Sequence, residues 1–170
     1  MVKNCIIALS FFILLLAFVL FFTYLAHAPT EKQRYGMYEV AQVDGGGNIV
    51  VDKGDTARRV FLIGVDAGYP DSQEGKNATR YVREITKDTQ ISLEYDIAKN
   101  KQNTLGVVDY AYVYLDDGRM LNAVLIAEGI TDYAPDNENT RYNSDFRKLK
   151  EQAQHKKSGI WGNDPERNEE

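Results

Sequence analysis

The feature that most constrains this chain is the run "CIIALSFFILLLAFVLFFTYLA", residues 5–26, which has 22 residues and no charge. A membrane-spanning helix needs about 20 apolar residues, whereas the apolar region of a cleavable signal holds about 7–15. The length therefore predicts a transmembrane signal-anchor over residues 5–26, after a short cytoplasmic stretch, residues 1–4. "AHA" at residues 26–28 resembles a signal-peptidase site, so a cleaved signal is the second reading, but Pro29 comes directly after it and hinders cleavage. Lys3 and the amino terminus favour an inside N-terminus, while Lys32 and Arg34 pull the other way. The C-terminal part is expected to stand outside the cytoplasm.

Beyond the apolar run the composition is that of an ordinary globular protein. Residues 27–36 read as a polar linker, 37–162 as one domain and "NDPERNEE", 163–170, as a disordered tail. The single cysteine, Cys5, lies in the apolar run, so the domain has no disulfide and no cysteine metal site. The net charge of -5 disfavours a nucleic-acid partner, because phosphate contacts call for a basic face. His27 and His155 are the only histidines, and neither has a partner at zinc-ligand spacing.

Apolar patterning and turn residues predict strands over residues 37–43, 49–51, 58–65 and 90–96. A further strand at 110–115 turns at Gly118. Helical spacing predicts a helix over 77–87, a short one over 122–129 capped by Asn122, and a last one over 142–157. Three strands, a helix, two strands and two helices make an α+β protein on a five-stranded OB-fold-type barrel with three helices.

Four strings in this order resemble the staphylococcal-nuclease-like (thermonuclease) family. "FLIGVDA" is similar to its "RLIGIDAPE" strand, "GKNATRYVRE" to its first helix, "AYVYLDDGRMLNAVLIAEGI" to its strand–turn–helix, and "KKSGIWG" to its terminal "kkGiW". The resemblance implies the fold just described. It also implies Ca²⁺-dependent phosphodiester hydrolysis, with a metal held by aspartates, a glutamate base and two charge-stabilising arginines. Carried over residue by residue, that site is depleted. The "DGDT" turn is "DGGG", so Asp44 is kept and the metal aspartate becomes Gly46. Asp66 is kept as a weak metal candidate, with Asp44 supporting it. The arginines fall on Phe61 and Val107. The glutamate falls on Tyr69, or on Asp71 after a two-residue insertion. Arg59 shares a strand face with Phe61 but lies one repeat away, roughly 7 Å; Arg59 and Asp71 are displaced catalytic candidates.

Three readings are open. One is a membrane-anchored domain that has lost nuclease activity, needs no cofactor, and binds a protein partner as an assembly module. Another is a Ca²⁺-dependent nuclease with a rebuilt site. The third is a non-cleaving binder of single-stranded nucleic acid through Tyr110, Tyr112 and Tyr114, whose alternation puts them on one face, exposed if Ala111 and Val113 face inward.

Overall fold

Strand burial alternates where one side of a sheet meets a core. The computed structural model describes residues 15–19, 34–52, 57–103 and 106–162. These fall in two units, residues 1–32 and 33–170. In the first, residues 15–19 are helical; the rest of the expected span 5–26 lies outside the described residues. Among the described residues no helix is long and apolar enough to cross a membrane.

The second unit contains strands β1 (Arg34–Val43), β2 (Ile49–Asp52), β3 (Ala57–Leu62), β4 (Val65–Asp66), β5 (Gln90–Glu94), β6 (Asn100–Asn103), β7 (Gly106–Leu115) and β8 (Asp132–Tyr133). Its helices are α1 (Gln73–Ile85), α2 (Leu121–Ala127) and α3 (Asn143–Lys156). The sheet order is β3-β2-β1-β5-β7-β6, and a parallel pairing of β3 with β7 closes five of these strands into a barrel. Ile49, Val51, Val60, Leu62, Ile91, Leu93, Ala111 and Val113 fill its interior with Val82 of α1 and Leu121 and Leu125 of α2. The remaining pair, β4 and β8, forms a small separate ladder.

The expected single strand over 58–65 is two strands, because Gly64 interrupts it with φ +76. A Cβ there would stand 2.8 Å from the Phe146 ring, so the bend also lets α3 pack close. Helix α1 begins earlier than expected, at Gln73, because the Ser72 hydroxyl accepts from Gly75 N at 3.0 Å. Asn122 is not the cap of α2. Met120 holds that position, and Asn122 is inside the helix and fully buried.

The tyrosine ladder requires a correction. Ala111 and Val113 do point into the barrel, but Tyr112 and Tyr114 are buried too, and Tyr110 is half-buried. They pack under the helices in a second cluster with Ile63, Ile126, Tyr133, Tyr142 and Phe146. Tyr112 meets the Tyr142 ring edge-on at 4.6 Å. Burial first, then Asp96, pushes the Tyr112 phenol well above its ordinary range. Burial, then hydrogen bonds with Tyr142 and Glu94, does the same at Tyr114. Tyr112 and Tyr114 therefore offer bases no exposed ring, because the helical layer covers them.

The 3-10 turn Gly159–Trp161 closes on the end of α2. Ile160 N donates to Gly129 O at 2.8 Å, and Gly129 has φ +65 with Ser158 O pressed against the place of a Cβ. Gly129→Ala should therefore cost about 2 kcal/mol, from the left-handed backbone and the clash together. It should appear as a lower denaturant midpoint at unchanged slope; a midpoint equal to the parent's would contradict this account.

Candidate active-site region

Strand β3 turns Val60 and Leu62 into the barrel, which leaves Arg59 and Phe61 on the outer face, two residues apart. Arg59 is held in an ion pair. Its Nε donates to Asp44 Oδ2 at 2.7 Å, and the other Asp44 oxygen takes Gln42 Nε2 at 2.7 Å. Phe61 pairs in register with Tyr110 of β7, and the two rings meet edge to face at 5.5 Å and 70°. Thus the outer face of β3 presents a satisfied ion pair and an aromatic pair. Neighbouring Arg58 lies 3.5 Å from the buried Asp109 carboxylate, which also accepts from Tyr95 at 2.9 Å.

Asp44 opens the 3-10 turn Gly45–Gly47, where Gly46 offers no side chain. Against this turn packs the loop after β4. Pro70 touches the position a Gly45 Cβ would take, and the Tyr69 carbonyl does the same at Gly75. Asp66, at the end of β4, sits opposite Asp132 of β8, and its Oδ1 accepts from Gly68 N at 2.9 Å. That bond is the loop-capping role an aspartate often takes after a strand. Tyr69 is 84% exposed, and Asp71 is exposed on the same loop. Asp66, Tyr69, Glu74, Asp132 and Trp161 line a cleft of about 390 Å³, to which Asp71 does not contribute. Asp132 is already paired with Lys150 at 2.7 Å.

A calcium site wants about 6–8 oxygens in one shell. Among the described residues no three His, Cys, Asp or Glu side chains converge in a way that could hold a metal ion. Asp44 is committed to Arg59 and Gln42, and Asp66 to its own loop. The described donors do not fit Ca²⁺. Asp55 lies outside the described residues, and Val107 is placed only by its backbone, opposite Gln102 in the β6–β7 hairpin.

Sequence reasoning missed the polar cluster beneath the helical layer. Glu94 is fully buried and accepts from Tyr114 at 2.7 Å, from Tyr142 at 3.0 Å and from Arg141 Nη1 at 2.6 Å. Asp96 accepts from Tyr112 at 3.0 Å and from Arg141 N at 3.0 Å. The one available signal is a glutamate standing beside apolar residues in "QISLEYD".

A five-stranded closed barrel with a helix after its third long strand and two helices over its outer face defines an SNase-like domain. The family model described as "Staphylococcal nuclease homologue" matches residues 59–163, and the chain belongs to that family. It is 31% identical over 157 aligned residues to the thermonuclease of Staphylococcus intermedius, covering 84% of this chain and 89% of that protein. It is 26% identical over 127 residues to the SPbeta prophage-derived endonuclease YokF of Bacillus subtilis (strain 168). That match takes in 72% of this chain but only 40% of the relative.

Proposed function

We propose that this SNase-like domain no longer cleaves phosphodiesters and acts as a membrane-anchored module that binds a protein partner within a membrane assembly. The observation that carries the reading is the Arg59–Asp44 ion pair at 2.7 Å beside Phe61. The nearest cation on the strand is neutralised by the one acid kept from the turn. Transition-state charge on phosphorus needs preorganised cationic donors, and loss of one such donor typically costs about 10²–10³ in rate. Here both family positions for arginine hold Phe61 and Val107, and Gly46 stands where a metal aspartate belongs. Asp71 is a shorter acid on an exposed loop outside the cleft, and a base must reach its water within hydrogen-bond distance.

The similarity to a thermonuclease and an endonuclease favours the competing reading of a rebuilt nuclease, so the test is enzymatic. The full chain is incubated with labelled single-stranded DNA and RNA, with Ca²⁺ and with chelator. No metal-dependent cleavage is expected. Cleavage that requires Ca²⁺ and disappears in Asp71→Ala would overturn the proposal. If the domain is silent, crosslinking in the native membrane should trap a protein neighbour.

A further inference from the structure

Helix α1 buries Gly75, Ala78 and Val82 on one side. Its far side carries Lys76, Arg80 and Arg83, with Lys87 just past its end, and all four are exposed. Their spacings of four, three and four residues align them in one stripe, about 16 Å long at the helical rise. Among the described residues none of the four forms an ion pair. Arg80 makes one hydrogen bond, from Nη2 to Asn77 Oδ1 at 2.9 Å. Glu84 flanks the stripe, Asp88 stands just past it, and Glu74 lies around the helix from it. Like charges at such spacing destabilise a helix by a few tenths of a kcal/mol per pair, a cost that Glu84 at the flank offsets only in part. In a chain of net charge -5, it is a local cationic face whose four side chains form no ion pair among the described residues.

We propose that this stripe docks on the anionic headgroups of the bilayer that holds the N-terminal anchor; the inference rests on the anchored reading above. The apolar run ends at Ala26 and β1 starts at Arg34. The intervening residues 27–33 reach at most about 25 Å when fully extended. On the anchored reading a linker of that length keeps the domain at high effective concentration to the headgroups. That tether favours lipid over nucleic acid as the polyanion. An acidic protein in solution is repelled by either one, and only a tethered surface is met often enough for a local cationic face to come within the Debye length.

The test uses the full chain in phosphatidylcholine vesicles and in the same vesicles with phosphatidylglycerol added, at low and high salt. Flotation with the neutral vesicles at high salt reads the anchor by itself. Accessibility of Lys76 and Lys87 to an amine-reactive label, with Lys148 of α3 as control, reads the stripe. With phosphatidylglycerol at low salt, labelling of Lys76 and Lys87 should fall at least about fivefold, the effect of a single cation at an anionic surface. High salt should restore it, and Arg80→Glu combined with Arg83→Glu should abolish the protection without changing flotation. Flotation with equal labelling in both vesicles would overturn the docking while leaving the anchor intact. Failure to float would overturn the anchor on which the docking depends. Protection by a soluble oligonucleotide, with none from phosphatidylglycerol, would assign the stripe to nucleic acid and sink the lipid reading.

Discussion

Asn122→Ala is expected to lower the stability of the domain by about 3 kcal/mol, a large share of the 5–15 kcal/mol typical of a fold. The side chain is completely buried and joins three backbone groups. It accepts from Val113 N at 2.9 Å and donates to Ile63 O at 2.9 Å and to Ala111 O at 3.2 Å. Ala111 O keeps a second bond from Ile63 N at 3.2 Å, so truncation orphans chiefly Val113 N and Ile63 O. Each buried unsatisfied group costs about 1–3 kcal/mol. Asn122→Leu separates this cause from simple loss of packing. It restores volume but no hydrogen bonds, and should be about as damaging as alanine in urea titration. A leucine variant of parental stability would show that the amide's bonds do not hold α2 to the barrel.

Glu94→Ala is the second large effect, also expected near 3 kcal/mol, or about a 10 °C fall in Tm for a domain of this size. Removing the carboxylate leaves the Tyr114 and Tyr142 hydroxyls without their acceptor and Arg141 without its 2.6 Å partner. The figure sits at the lower end of the range for breaking a buried pair. The Arg141 side chain is 40% exposed and can turn to water, and the two hydroxyls still meet each other at 3.1 Å. Glu94→Gln keeps an acceptor and should recover most of the loss. A melt of Glu94→Ala indistinguishable from the parent would mean that the cluster is not holding α3 against the sheet. The two sites fail in different ways: Asn122 leaves backbone groups orphaned between α2 and the barrel wall, whereas Glu94 leaves side chains orphaned between β5 and the start of α3.

Much of the fold is readable from the chain, and the misses have physical causes. Strands β1, β2, β3 and β5 are apolar runs stopped by glycine or polar turns, so their existence is a local property. Strand β6 is not local: Asn100 to Asn103 contains no apolar residue and is a strand only because β7 offers its backbone edge. Alternation correctly puts Tyr112 and Tyr114 on one face, but nothing within the strand says that α2 and α3 will cover that face. Asn122 resembles a cap because asparagine usually serves there; its true role depends on β3 and β7, far away in sequence. In the candidate site, the shared face of Arg59 and Phe61 comes from strand geometry alone. The neutralising contact to Asp44 joins residues 15 positions apart and depends on how the turn folds back.

Strand β7 is bonded to β5, β6 and β3 and buried on both faces between Ala111 and Leu115. That double burial limits how such a domain can diverge. A substitution on one side of the strand must satisfy the barrel interior, and one on the other must satisfy the aromatic layer under the helices, so neither side can drift alone toward a new partner. Novelty is left to the parts that carry no such double duty: the solvent side of α1, the loop after β4 and the rim of its cleft. In this chain the exposed Tyr69 and Asp71 stand on that loop, and the cationic stripe stands on that side of α1. The doubly buried strand and the freer surface are then two results of one constraint.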